Sequence, residues 1–422
     1  MTPDTHWDAE LTVLGPGISE AVQWAKLVVQ HAEGMHLTDS TGRRVTDLMG
    51  GAGVNLLGHS HPAYLEAMGR QMSSWMIGAH AGAARLEMTR QLRQLLPAHL
   101  NRIQLYSGGS EAVESAIRLA KSATGRYEVL SFWQAFHGRT LGSLAHTSGA
   151  STALGPTAPG SIKAPYANCA HCPLKLTHPR CGLACVELTR AILREQSTGS
   201  LAAILVEPVQ GRAGNIAPPA GYLAALRQLA NDHGALLIAD ESLTGMGRTG
   251  AVLASDSPDS RPDIVVLGKG LGNGYPVSAV CASTTLMETG PYGSPSASSS
   301  SYGGFPLACQ AVAVVAETVR VEQLAERARR LGDRILHRLR HDLADTPLVA
   351  GVHGRGLAIG VELHVTGKDQ LRRVFQSLLH AGILVMTGGH TLRLYPPLTA
   401  DAHELDAAVD ALINVLQRHP AP

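Results

Sequence analysis

The sequence predicts an α/β protein: a large domain with a mostly parallel sheet flanked by helices, and a smaller α+β lobe. Two patterns carry that expectation. Through the middle of the chain short apolar runs alternate with helical periodicity, the signature of parallel strands joined by crossover helices. From about residue 308 the pattern changes to long amphipathic helices followed by a few strand-like runs. With 422 residues and 45% hydrophobic content, the chain is long enough to bury a large core and to divide into two lobes.

Taken in order, residues 1–60 contain "HLTDSTGRRVTDLMGG", two short strands around a D-S-T-G turn, expected to pack on the smaller lobe. Residues 61–310 form the large domain. In it "RIQLYS" (102–107) reads as a strand and "SEAVESAIRLAKSATG" as a helix, with Ala112, Ala116, Leu119 and Ala120 on one face and Gly125 ending it. "YEVLSF", "LAAILVE", "GALLIADE" and "DIVVLGKG" are the following strands, each closing in polar residues or glycine. Ligands of open α/β sheets bind at such carboxyl ends. Residues 311–422 are the smaller domain, with "GRGLAIGVEL" and "TLRLYPPL" as strands and a final helix.

Composition excludes several classes of function. Thirty-five Lys and Arg against 34 Asp and Glu give a formal charge of +1, without a basic block to gather nucleic acid or an anionic membrane. The beginning carries no basic-then-apolar signal pattern, and the longest apolar runs are too short to span a bilayer. Six cysteines in a chain of this size are not a secreted disulfide scaffold, so a cytoplasmic protein is expected.

Three motifs converge on one chemistry. "YSGGSEAVE" joins a strand, a glycine turn and a helix N-terminus, a form that cradles phosphate on Gly109 and Ser110; an ordinary turn capped by Ser110 is the simpler alternative. "LLIADESLTGMGRTG" places Asp240 and Glu241 at the end of a buried strand, where a carboxylate needs a cationic partner. A protonated ring nitrogen is one such partner, and Arg248 in a structural ion pair is another. "VVLGKGLGNGYP" puts Lys269 at the end of the next strand. A phosphate holder, an acid for a ring nitrogen and an imine-forming lysine are the requirements of pyridoxal 5′-phosphate chemistry.

With "GRRVTDLMGGAGVNLLGHSHP", "FHGRT", "VEPVQGRAG", "YGGFPLAC" and "LRLYPPL" added in order, the chain resembles the class III (ω-amino acid type) aminotransferases, fold-type I pyridoxal-phosphate enzymes. The resemblance covers nearly the whole length. It implies that Lys269 holds the cofactor as a Schiff base and moves the substrate proton, and that Asp240 pairs with the pyridinium nitrogen. It also implies that Phe136 stacks on the ring beside His137, that Glu207 lies near cofactor and substrate, and that Arg393 binds a substrate carboxylate. Ser301, in "SSSSYGGFPLAC", falls where a family threonine reaches the phosphate of the neighbouring subunit, which implies a homodimer with shared active sites. The implied reaction moves an amino group from a donor such as L-glutamate to a carbonyl substrate. Amines and 2-oxo acids are thus the partners, with an ω-amine or aminosugar of secondary metabolism as the second substrate. An epimerase or decarboxylase acting on an amine or amino acid is the alternative, and a non-catalytic interaction protein is a third reading that the intact Lys269 and Asp240 oppose.

The chain departs from the family pattern at several points. D-E-V-Q-T-G is here "DESLTG", so Ser242 and Leu243 stand where valine and a hydrogen-bonding glutamine are usual. His353 replaces a basic residue and Phe305 an asparagine. "GSLAAILVEPVQGRAGNIAPPAGYLAAL" resembles the dialkylglycine decarboxylase branch, yet Ala52 stands where that enzyme carries a glutamine thought to favour loss of CO₂, which ranks transamination first. Finally, Cys169, Cys172, Cys181 and Cys185 in the insertion 165–186 give C-x₂-C-x₈-C-x₃-C, a spacing that suits a structural zinc or iron–sulfur cluster as well as packed free thiols.

Overall fold

The computed structural model describes residues 3–15, 17–149 and 154–419, with side chains described from residue 6 onward. Its centre is a seven-stranded sheet in the order Arg102–Tyr106, Ser278–Ala282, Ile264–Leu267, Leu236–Asp240, Leu201–Val206, Glu128–Phe132, Ser161–Ala164. Only Ser278–Ala282 runs antiparallel to its neighbours; the other pairings among these strands are parallel. The central strands are buried along their whole length, because helices cover both faces and no strand face is left for polar residues. That explains why they read as continuous apolar runs rather than as alternations.

The helix after Arg102–Tyr106 spans Gly109–Thr124 and buries Ala112, Ala116, Leu119 and Ala120 as expected; Gly125, at φ 66°, ends it in the left-handed conformation. Two sequence expectations need adjustment. Helix Pro306–Val321 is not amphipathic: Ala308, Cys309, Ala311–Ala316, Thr318 and Val319 are buried, since it runs between helices Pro62–Ser74 and Ala83–Leu95 and the turn Lys269–Gly272. "GRGLAIGVEL" is not one strand but the second half of a hairpin, Val349–Arg355 with Ala358–Leu363, reversing at Gly356 (φ 56°). Helix Leu324–Asp342 keeps the expected stripe, with Leu324, Ala328, Leu331, Ile335 and Leu339 inward.

His36–Asp39 and Arg44–Asp47 form the anticipated hairpin, and Arg44–Asp47 pairs in parallel with Ile383–Leu384, joining the N-terminal segment to the C-terminal part of the chain. Among the described residues no helix is long and apolar enough to cross a membrane.

Candidate functional site

The carboxyl ends of the central strands open into a cavity of about 400 Å³. Gly109, Ser110, Phe136, His137, Glu207, Asp240, Lys269 and Arg393 all line it, together with Ala52, Ser242 and Leu243. Parallel strand pairing accounts for the convergence. Asp240 is the last residue of Leu236–Asp240 and is in register with Val266, so the neighbouring strand ends at the same level and delivers Lys269. Glu207 follows directly on Leu201–Val206.

Lys269 has φ 45°, a left-handed conformation that disfavours a side chain, at the start of a short 3₁₀ turn. It forms no ion pair among the described residues. Burial lowers the pKa of its amine, opposed by the charges of Asp240 and Glu207 and assisted by Arg393 and Arg248. Asp240 is 5% exposed. Burial alone raises its pKa, but the hydrogen bond and charge of His137 and the amide of Ser242 outweigh it and hold the carboxyl below its ordinary range. His137 Nδ1 lies 2.8 Å from Asp240 Oδ2, and Ser242 N donates to Oδ1 at 3.1 Å. With Asp240 ionised, His137 donates through Nδ1, and its buried Nε2 has no partner.

Arg248, the alternative counter-ion for this acidic pair, is elsewhere. It is fully buried and donates to the carbonyls of Leu357 (3.3 Å), Asn55 (3.4 Å) and Pro396. Glu241 accepts from Ser255 N and Oγ, both at 2.7 Å, and from Thr244 Oγ1, and so ties a loop rather than facing the cavity. The two acidic neighbours of one dipeptide therefore have different surroundings.

Glu207 accepts from Phe136 N at 2.9 Å and Gly211 N at 3.2 Å. Burial pushes its carboxyl up to about 7, against the charge of His137 and with that of Asp240. Gly138, at φ 135°, is obligatory: a Cβ there meets Ser110 Oγ at 2.3 Å and Ser143 Oγ at 2.4 Å. Leu243 is wedged between two glycines, its Cδ2 2.2 Å from where a Cβ on Gly211 falls and its Cδ1 2.5 Å from one on Gly53. The unusual leucine thus gives the cavity an apolar wall against Tyr395.

Among the lining residues that sequence reasoning overlooked are two arginines and a tyrosine. Arg139 and Arg212 stand at the mouth, their guanidinium carbons 5.7 and 5.4 Å from the Phe136 ring centroid. Tyr395, whose hydroxyl donates to Asn215 Oδ1 at 2.8 Å, closes the inner side. The signal for Arg139 was present in "FHGRT", three residues after Phe136; nothing in "QGRAG" shows that Arg212 turns toward the same ring.

Ser301, expected to serve the phosphate of a neighbouring subunit, is exposed and lies outside this chain's own cavity. Cys169, Cys172, Cys181 and Cys185 are free thiols around a separate space of about 20 Å³, shared with Leu174, Leu176, Leu183 and Tyr166. No group of three or more His, Cys, Asp or Glu side chains among the described residues is placed to hold a metal. This corrects the expectation of zinc or an iron–sulfur cluster. Burial and the neighbouring thiols push the Cys169 and Cys185 thiols up, as for packed thiols that share their space with apolar side chains. The insertion is anchored instead by His171, 2.7 Å from Glu362 Oε1, whose Oε2 lies 3.0 Å from His353.

Comparison with known proteins agrees with this arrangement. The family model for class-III aminotransferases matches residues 18–416. The acetylornithine aminotransferase of Methanopyrus kandleri is 36% identical over 394 residues, 91% of this chain and 93% of that protein. A PLP-bound amine transaminase from an uncultivated Pseudomonas species superposes with a TM-score of 0.87 at 28% identity, covering 96% and 98% of the two chains. An (S)-enantioselective ω-transaminase from Thermomicrobium roseum gives 0.89 at 27% identity, covering 98% of each. The chain belongs to the class-III aminotransferases and is a pyridoxal-phosphate-dependent transaminase of fold type I.

Proposed function

We propose that the enzyme transfers an amino group from L-glutamate or another amino acid to a carbonyl substrate, with Lys269 as the covalent anchor of the cofactor and the proton carrier. The convergence of Lys269, the Asp240–His137 pair, Glu207, the Gly109–Ser110 turn and Arg393 in one cavity carries this reading. The residues suit the cofactor on independent grounds. His137 Nε2 and Arg393 Nε are buried without partners, as polar groups kept for a ligand are. A Cβ on Gly109 meets nothing nearer than Ser242 Oγ at 3.9 Å, so the turn has open space for a phosphate.

Bound pyridoxal phosphate supplies an electron sink for the bond broken at the substrate carbon. The chain's own groups do the rest. Asp240, kept anionic by His137, would pair with the protonated ring nitrogen, Gly109 and Ser110 would hold the phosphate at the helix N-terminus, and Phe136 would pack on the ring. Lys269, with its amine pKa lowered, takes and returns the substrate proton. Glu207 borders the substrate and Arg393 takes its carboxylate. The acetylornithine aminotransferases among the relatives make a terminal carbonyl on a carboxylate-bearing chain, aminated to the ω-amine, the nearest model for the second substrate and its product.

We also propose a homodimer, in which Ser301 serves the partner's phosphate. Leu65, Met72 and Leu86 on helices Pro62–Ser74 and Ala83–Leu95, with Met76, Ile77 and Tyr302, leave an apolar surface exposed. Six cysteines without a disulfide accord with a reducing compartment such as the cytoplasm. The test is a half-reaction: holoenzyme and L-glutamate alone should release one equivalent of 2-oxoglutarate per site with loss of the visible cofactor band. Lys269→Ala should abolish it. Absence of release with every amino acid and amine tried rejects the reading.

A further inference from the structure

Outside the cavity, one carboxylate joins two distant parts of the chain. Glu362 Oε1 lies 2.7 Å from His171 Nε2, in the insertion 165–186, and its Oε2 lies 3.0 Å from His353 Nε2. Burial raises the pKa of Glu362, but the hydrogen bond of His353 and the charge and hydrogen bond of His171 outweigh it and keep the carboxyl ionised. A carboxylate only accepts, so both rings donate through Nε2. Strand register connects this clasp to the cavity. In the antiparallel ladder of Val349–Arg355, Ala358–Leu363 and Thr391–Leu394, Glu362 is opposite Thr391, while Gly360 is opposite both Arg393 and His353. Opposed residues, and alternate residues of one strand, share a face, so His353, Glu362, Thr391 and Arg393 stand on the same side of the sheet. That side rests on the turn 211–215. Arg393 donates to Gly211 O at 3.3 Å, a Cβ on Gly214 would meet Thr391 Oγ1 at 2.9 Å, and a Cβ on Gly360 would run into Gly214 O. The insertion is tied to the approach to this turn as well, because the Tyr166 hydroxyl donates to the carbonyls of Glu207 (3.1 Å) and Pro208 (3.3 Å).

We propose that Glu362 is a positioning residue for Arg393: gripped by His171 and His353, it fixes the sheet against the turn 211–215 at the height where the Arg393 guanidinium meets the substrate carboxylate, with the insertion as the strap. The inference rests on the reading above in which Arg393 takes that carboxylate. Neither Glu362 nor His171 lines the cavity, so both act through the strand and not on the ligand. Arg393 is buried with its Nε unpartnered, and a bidentate guanidinium–carboxylate contact tolerates little displacement of the arm that carries it. The His171 side chain is 58% exposed, which keeps its own contribution modest; loss of Glu362, only 19% exposed, releases the insertion and His353 together.

Holoenzyme half-reactions with L-glutamate give kcat and KM for wild type, Glu362→Ala, His171→Ala and His171→Gln, and for Arg393→Gln alone and combined with the first two. KM should rise about tenfold in Glu362→Ala and about threefold in His171→Ala, with kcat within about twofold of wild type. His171→Gln, whose amide nitrogen can donate where Nε2 did, should restore most of the wild-type KM. In the Arg393→Gln background the Glu362 and His171 changes should each move KM by less than about twofold, since no clamp is left to misplace. Affinity of the stripped Glu362 and His171 variants for pyridoxal phosphate should equal that of wild type. A KM within about twofold of wild type in Glu362→Ala overturns the proposal. So does a loss that falls on kcat or on cofactor affinity instead, or one of equal size with and without Arg393, because each marks a general structural role. Should Glu362→Ala not fold, the surface variant His171→Ala decides on the same criteria. An unchanged KM in Arg393→Gln itself overturns the reading of Arg393, and the proposal with it; absence of turnover in wild type overturns the transaminase reading as a whole.

Discussion

Glu207 offers a stability test that does not depend on turnover. Its carboxyl is buried among Phe136, His137 and Asp240 and is pushed from 4.5 to about 7. In the folded protein it therefore holds a proton over a range in which the unfolded chain has already released one. Stability then falls as the pH rises, because folding above pH 4.5 must either keep that proton or bury a charge. At about 1.4 kcal/mol per pH unit, the interval from 4.5 to about 7 corresponds to about 3 kcal/mol, fully present below pH 4.5 and lost above about pH 7. Glu207→Gln removes the titration while keeping the size of the side chain. It should cost stability at low pH, since an amide can accept from only one of Phe136 N and Gly211 N through its oxygen. Its free energy of unfolding should, however, lose this downward trend. The assay is urea denaturation of cofactor-free protein at fixed concentration at about pH 5 and about pH 8, wild type against variant. A variant whose pH dependence equals that of wild type refutes the reasoning, because the proton would then be absent from Glu207.

Gly211→Ala should cost about 1–3 kcal/mol, because the new Cβ falls 2.2 Å from Leu243 Cδ2 in a wall already closed by Gly53 and Tyr395. In denaturant titrations Leu243→Ala should relieve part of that loss, and strict additivity of the two would show that they do not clash. Arg248→Met should cost about 3 kcal/mol or more, because the carbonyls of Leu357, Asn55 and Pro396 lose a buried charged donor; a loss under about 1 kcal/mol in the same titration would refute this account.

Much of the site was legible in linear order because strand ends are. A buried parallel strand is an unbroken apolar run, and the first polar residue after it lies at the sheet's carboxyl edge, which located Asp240, Glu207 and Lys269. Helix Gly109–Thr124 was equally plain, from its alanine face and terminal glycine. What failed in the reading failed for reasons of packing. Pro306–Val321 looked amphipathic only while its second set of neighbours, Pro62–Ser74 and Ala83–Leu95, was unknown. The cysteine spacing suited a metal, but leucines and Tyr166 share the space between the thiols.

The sequence by itself determined the fold class, the family and the strand-end positions of Lys269 and Asp240, since these depend on local periodicity and on short motifs in a set order. Tertiary structure alone decided the environment of each charge. It turned Arg248 to three carbonyls, joined His137 to Asp240, raised Glu207 by burial and brought Arg139 and Arg212 to the same ring across 73 residues of chain. The physical reason is that desolvation and Coulomb terms depend on distance in space, and the chain's order says little about distance once a crossover has closed.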